Sequence, residues 1–246
     1  MGDHREMSHS PTPRLVIPCF NPPHGWSATL AQRVKNFRLM TGAPDMPITI
    51  VNDGSTTGIA AEDNKLLQQE LGAVQWIVHD VNRGKGAALR TGVAAAAGPC
   101  IVTDVDLPYT LESMAIVYRA LIADADVVLG HRGEDYYNRV PPARRAISKT
   151  FRWVLRHVMR FPISDTQCGL KGFGDRGRAL FLDTSIDRFL FDMEFVMLVS
   201  RNKDLRVALV DARLNDGVRF SRMNYRILLR EAVNFLKVVL RDFRQR

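Results

Sequence analysis

Residues 99–109 read Pro99-Cys100-Ile101-Val102-Thr103-Asp104-Val105-Asp106-Leu107-Pro108-Tyr109. The first four are short and largely apolar, which suits a buried strand that runs up to two carboxylates and stops. Two aspartates one residue apart, on backbone released from strict strand alternation, can face one small volume and hold a hard divalent cation. Mg2+ takes one or two protein carboxylates and fills its other positions with water and phosphate oxygens. A nucleotide diphosphate would complete such a site. The plainer reading is that both acids sit in a strand-to-helix loop and cap a helix starting near Thr110; the pair alone does not choose.

Outward from this stretch, strands and helices alternate. Leu15-Val16-Ile17-Pro18, Pro47-Ile48-Thr49-Ile50-Val51 and Val74 to Val78 read as strands before it, and Asp126-Val127-Val128-Leu129-Gly130 as one after it. Between them, Trp26 to Met40 has helical spacing at Leu30, Val34, Phe37 and Met40, and Ala60 to Leu71, Gly86 to Ala97 and Thr110 to Ala123 also read as helices. Such alternation predicts an α/β fold, a mostly parallel sheet with helices on both faces. Ligands of such sheets bind outside the carboxyl ends of the strands. The residues predicted there are Phe20 and Asn21, then Asn52, Asp53, Gly54 and Ser55, then Asp104 and Asp106. All suit one nucleotide: Phe20 against a base, Asp53 accepting from a ring N–H, Gly54 allowing close backbone approach. After the third strand, Asn82-Arg83-Gly84-Lys85-Gly86 opens a helix whose N–H groups, dipole and Lys85 ammonium favour a phosphate. A plain turn into a helix reads equally well there.

The composition, 46% hydrophobic and 24% charged over 246 residues, is that of a globular chain with a full core and no internal linker, so one main domain is expected. A net charge of +8 points to an anionic partner, whether phosphorylated substrate, acidic membrane or nucleic acid. The three cysteines, Cys19, Cys100 and Cys168, are far apart and odd in number, which argues against a disulfide scaffold and for a reducing compartment. No apolar run approaches the roughly 20 residues of a spanning helix, so a protein that does not cross the bilayer is expected.

The stretches LVIPCFN, ITIVNDGSTTG, NRGKGAALRTG, TDVDL, VLGHR, RRAISK, DTQCGLKGF and FDMEF, in this order over roughly residues 14 to 222, resemble the family 2 glycosyltransferases of the GT-A fold. Within that family they are similar to the polyprenyl-phosphate hexosyltransferases, such as the dolichyl-phosphate glucosyl- and mannosyltransferases. The resemblance implies an inverting transfer of a hexose from a nucleotide sugar with Mg2+ or Mn2+. It implies that Pro18, Phe20, Asn21, Asp53, Gly54, Ser55, Lys85 and Asp104 contact the nucleotide, with Asp53 reading the base and Asp104 near ribose and metal. Asp106 would bind the metal. Three positions depart from the family pattern: Pro22 replaces an acid after Asn21, Asn52 replaces the first of two aspartates, and Pro108 replaces a polar residue after the metal pair.

The second half bears on the acceptor. From Tyr136 through Ser164 there is no aspartate or glutamate, and Arg145, Lys149, Arg152, Arg156 and Arg160 form one stripe of a predicted helix. Ile147, Phe151, Val154, Leu155, Val158 and Met159 form its apolar side. A solvated surface helix is the bland alternative to an anionic target. Arg132, Arg144, Arg145 and Ser148 match the positions at which the resemblance places the lipid phosphate. The chain from 223 to 246 repeats the theme, with Leu228, Leu229, Leu236 and Leu240 on one face and Arg226, Arg230, Lys237, Arg241 and Arg244 on another. Such a helix packs on the domain, lies on an anionic leaflet, or meets a second copy or a membrane-embedded subunit. The expected layout is a loose arm over 1–13, a GT-A domain over 14–222 and this basic helix over 223–246. The expected location is the cytoplasmic face of a membrane.

A phosphate monoester, largely ionised at neutral pH, needs no general base to act as nucleophile. Catalysis then rests on Asp104, Asp106, Arg132 and Arg144, with UDP-glucose favoured as donor and GDP-mannose the alternative. Asp192 and Glu194 are the base candidates if the acceptor is a hydroxyl, though a structural role suits them better. Asp165, Gln167 and Lys171 line a sugar or phosphate pocket or form a capped turn. The rival classes are a sugar nucleotidyltransferase and a non-enzymatic nucleic-acid-binding module. The first normally has its glycine-rich loop directly after the first strand; the second lacks exposed aromatic stacking platforms here.

Overall fold

The computed structural model describes residues 11–133, 168–188, 190–216 and 218. Seven strands and six helices among the described residues follow in the order β1 (Arg14–Cys19), α1 (Trp26–Thr41), β2 (Ile48–Asn52), α2 (Ala61–Leu71), β3 (Val74–Val78), α3 (Lys85–Ala94), β4 (Cys100–Val102), α4 (Leu111–Ile122), β5 (Val127–His131), β6 (Lys171–Phe173), α5 (Asp175–Leu182), α6 (Phe191–Arg201) and β7 (Val207–Asp211). The predicted arm up to residue 10, the basic stretch with Arg144, Arg145, Ser148, Asp165 and Gln167, and the C-terminal helix lie outside the described residues.

The strands form one sheet in the order β3-β2-β1-β4-β6-β5-β7. β1 pairs in parallel with β2 and β4, β2 with β3, and β5 with β7, while β6 runs antiparallel between β4 and β5. Six strands therefore end at one edge. Reversal of β6 brings its first residue, Lys171, to that same edge, in register with Val102 of β4 and Leu129 of β5.

Strand alternation explains why both faces are covered. Leu15 and Ile17 of β1, Ile101 of β4 and Val128 of β5 point into a core shared with Leu30, Val34 and Phe37 of α1, Leu67 of α2 and Met114 and Val117 of α4. Their neighbours Val16, Cys100, Val102, Val127 and Leu129 point the other way, onto Leu89 and Val93 of α3, Phe181 of α5 and Phe191, Phe195 and Val196 of α6. A strand buried on both faces reads as a continuous apolar run, which is why these strands were visible in sequence. On the second face Phe173 and Phe181 stack with centroids 4.7 Å apart, and Phe195 meets Phe173 edge-on at 5.0 Å. Among the described residues no helix is long and apolar enough to cross a membrane.

Candidate active site

The carboxyl edge of the sheet gathers most of the polar residues singled out in sequence. β4 ends at Val102, and the next residues fold into a turn in which the Leu107 N–H donates to the Asp104 carbonyl at 2.9 Å. Asp104 is half-buried and Asp106 exposed, so the second carboxylate faces outward. Leu107 is fully buried with φ +43°, a left-handed conformation that costs a non-glycine residue about 1–2 kcal/mol. Burial and hydrogen bonds hold it there. Arg33 of α1 donates through Nη1 to the Asp106 carbonyl at 3.1 Å and to the Leu107 carbonyl. Asn215, after β7, donates through Nδ2 to the carbonyls of Leu107 and Tyr109, both at 2.9 Å, and through its backbone N–H to Pro108 at 2.9 Å.

Lys85, the first residue of α3, forms an ion pair with Asp104. Burial alone would lower its ammonium, but Asp104, Asp192 and Asp106 outweigh that and hold it above its ordinary value. Solvent reaches the Asp106 side chain, but partial desolvation by the surrounding turn, followed by the Asp104 charge, raises its carboxyl against its own backbone hydrogen bond, Lys85 and Arg33. Gly169 lies against this pair: a Cβ on it would come within 2.9 Å of Asp104 Oδ2 and 3.5 Å of Lys85 Nζ. The Gly169 N–H donates to the Tyr109 hydroxyl at 2.8 Å, tying the loop before β6 to the aspartate turn. Arg132 follows the last residue of β5, and its charge acts on the Tyr109 hydroxyl. Arg132 therefore stands at the same edge as the two aspartates.

Three features sit otherwise than expected. Asp53, expected to face a base, is 2% exposed. Its Oδ1 meets His79 Nδ1 at 2.8 Å and accepts from the Arg83 N–H at 2.9 Å, while Oδ2 accepts from Asn82 Nδ2 at 3.1 Å and the Gly84 N–H at 2.8 Å. Those four contacts fill a carboxylate's acceptor capacity and fix the loop that presents Lys85. Second, the N–H groups of Gly86 and Ala87 at the start of α3 donate to the Asp187 carbonyl at 2.7 and 3.2 Å. They are not turned to a phosphate; the Lys85 ammonium is the group of that motif that meets the aspartates. Third, Lys171 is 1% exposed and lies beneath the site rather than lining it: its Nζ donates to Asp192 at 2.6 Å and to the Cys168 carbonyl.

Asp192, in the first turn of α6, is buried with Lys171, and burial raises its carboxyl even against the nearby ammonium groups of Lys171 and Lys85. Glu194 accepts from the Ser185 N–H, the Ser185 hydroxyl and the Ile186 N–H, each at 2.8 Å. It shapes the loop that Arg90 grips through Thr184 at 3.2 Å and the Ile186 carbonyl at 2.8 Å. On the nucleotide side, Pro18 is buried in β1 beside Val51, and Phe20 is 48% exposed. Asn21 accepts from the N–H groups of Thr56 and Thr57 at 2.9 and 3.2 Å and donates its own N–H to Ser55 Oγ at 2.9 Å. Asn52 accepts from the Ser55 N–H at 2.9 Å. Gly54 has φ +67°, and a Cβ there would run into the Val81 backbone. Arg33, His79, Tyr109 and Asn215 escaped the sequence reading; only Tyr109, two residues past the aspartate turn, carried a positional hint.

The donor set suits Mg2+ or Mn2+ of the kind that borrows ligands from a phosphate. It offers one exposed and one half-buried carboxylate, and among the described residues there is no cage of three or more His, Cys, Asp or Glu.

The family model described as Glycosyl transferase family 2 matches residues 15–188. Among curated proteins, a dolichyl-phosphate beta-glucosyltransferase of Trichomonas vaginalis is 25% identical over 78% of this chain and 59% of its own length. One of Drosophila melanogaster is 28% identical over 63% of this chain and 52% of its own length. The chain thus spans little more than half the length of these relatives. Among solved structures, glucosyl-3-phosphoglycerate synthase from Mycobacterium tuberculosis, in complex with Mn2+, UDP and glucosyl-3-phosphoglycerate, superposes with a TM-score of 0.63 at 14% identity, covering 94% of this chain and 79% of that one. Mannosyl-3-phosphoglycerate synthase from Rubrobacter xylanophilus gives 0.64 at 14% identity, over 95% and 75%. The fold is the GT-A glycosyltransferase fold.

Proposed function

The chain belongs to glycosyl transferase family 2, and on that premise we propose that it transfers glucose, with inversion, from UDP-glucose to a polyprenyl phosphate at a membrane surface. The observation that supports this most is the gathering of charged groups at one sheet edge: Asp104 and Asp106 after β4, Lys85 paired with Asp104, and Arg132 directly after β5. The names of the curated relatives support the glucosyl donor and the phosphate-bearing lipid.

In this reading Asp106 and Asp104 hold a divalent cation, which when bound neutralises charge on the departing nucleoside diphosphate. Lys85, kept protonated by the surrounding carboxylates, adds a fixed positive charge to the same leaving group. Asp53 contributes by fixing residues 82–84, and Phe20 offers an exposed ring to the base. Arg132 takes the acceptor phosphate, joined in our reading by Arg144, Arg145 and Ser148, and the phosphate oxygen attacks from the face opposite the leaving group. The engagement of both base candidates favours an acceptor that is already ionised: Asp192 is paired with Lys171, and Glu194 is bonded to Ser185 and Ile186.

The test offers polyprenyl phosphate and a panel of radiolabelled nucleotide sugars, followed by organic extraction. Label enters the organic phase with UDP-glucose, and is lost with chelator and in Asp106→Ala. An organic phase left blank by every donor overturns the reading.

A further inference from the structure

We infer that Arg33 and Asn215 are positioning residues that hold the aspartate turn in its metal-binding shape, and so set how tightly the site takes a divalent cation. The inference rests on the proposed metal role of Asp106. Its basis is a pattern of backbone contacts rather than of charges. Among the described residues, the four successive carbonyls of Asp106, Leu107, Pro108 and Tyr109 are all hydrogen-bonded by these two residues. Arg33 takes the first two, Asn215 the last three, and the Leu107 carbonyl is shared. Neither residue belongs to the turn: Arg33 comes from α1, 73 residues before Asp106, and Asn215 follows β7, 108 residues after Leu107.

The turn needs such support. Its buried Leu107 sits at φ +43° ahead of a proline, a backbone state that persists only when its surroundings over-determine it. Asp106 itself is exposed, so its position depends on its backbone rather than on side-chain packing. Released from Arg33, the turn can relax toward ordinary dihedrals, and Asp106 is no longer held where the Asp104 charge acts on it. Arg33 also brings a positive charge that acts on Asp106. As a mere neighbouring cation it would repel a metal, and its removal would tighten metal binding. As a positioning residue its removal weakens binding. The two roles have opposite signs.

The experiment titrates the full chain with Mn2+ alone and reads free Mn2+ by electron paramagnetic resonance. It compares wild type, Arg33→Gln, Arg33→Lys, Asn215→Ala and an Asp106→Asn control, each checked for folding by thermal melting. Arg33→Gln and Asn215→Ala are expected to bind Mn2+ at least tenfold more weakly than wild type while melting cooperatively. Arg33→Lys, which keeps one donor group, falls between. Unchanged or tighter binding in a folded Arg33→Gln, with Asp106→Asn weakened, overturns the positioning role alone. A wild type that takes up no Mn2+ at millimolar concentration, or an Asp106→Asn that binds it normally, overturns the metal reading and this inference with it.

Discussion

Replacing Lys171 by methionine isolates what the buried ion pair contributes. Lys171 is 1% exposed and Asp192 6%, with Nζ and Oδ1 2.6 Å apart. Removing one partner of such a pair leaves an uncompensated charge and costs about 3–5 kcal/mol, whereas replacing both with apolar groups is often close to neutral. Lys171→Met should therefore lose about 3 kcal/mol or more at pH 7, and Lys171→Met with Asp192→Leu should recover most of it. The pH dependence has a definite sign. The Asp192 carboxyl already stands above its ordinary value, mainly through burial, and loss of the ammonium raises it further. The folded variant then binds a proton more tightly than the unfolded chain, so its deficit is full above the raised value and shrinks as pH falls toward the ordinary carboxylate range. Urea unfolding followed by circular dichroism at pH 7 and pH 5 measures both effects. The same double variant speaks to mechanism: with Asp192 a partner rather than a base, it retains transfer to polyprenyl phosphate within about tenfold, roughly 1.4 kcal/mol of barrier. A single variant costing under about 1 kcal/mol, a deficit that grows in acid, or a stable double variant devoid of transfer would refute this reasoning.

Gly169→Ala places a methyl group 2.9 Å from Asp104 Oδ2. The atoms it meets are the ends of movable side chains, so the melting temperature should change little while kcat/KM falls at least about tenfold; full activity would contradict the proposed use of Asp104. Gly54→Ala combines a positive φ with a clash against the Val81 backbone, and should cost more than about 2 kcal/mol in urea unfolding. Cys19 and Cys100 are buried, and burial pushes their thiols up to about 12. Ellman's reagent at pH 8 should leave both intact in the native chain and label them on unfolding; rapid native labelling would show that the strand ends open.

How far the sequence could be read follows from what kind of contact carries each feature. β1, β2, β4 and β5 are apolar runs with acids or turn residues at their ends, and the helices between them keep a 3.6-residue period, so their existence was legible. The direction of β6 was not: Lys171–Phe173 is too short to declare an orientation, and only its pairing with β4 and β5 reveals it as antiparallel. At the site, Asp104, Asp106 and Lys85 stand in motifs because they are charged groups at short, fixed offsets from strand ends. Arg33 and Asn215 bind backbone carbonyls, which every residue possesses, across long sequence separations, and so leave no local pattern. Asp53 stands out in sequence at the end of β2, but its partners do not: the N–H groups of Arg83 and Gly84 that donate to it belong to a loop whose path no residue type announces. At the α3 N-terminus the sequence leaves a phosphate site and a plain turn equally open, because the Asp187 carbonyl that accepts from Gly86 and Ala87 lies about a hundred residues further along the chain.

The central claim is that an ionised phosphate, and no general base, supplies the nucleophile. The most direct measurement offers UDP-[14C]glucose and Mn2+ to an equimolar mixture of a polyprenyl phosphate and the corresponding polyprenol, and separates the labelled lipids by anion exchange. Label confined to the acidic glucosyl-phosphoryl lipid is the predicted result; label on the neutral glucosyl polyprenol would contradict the account.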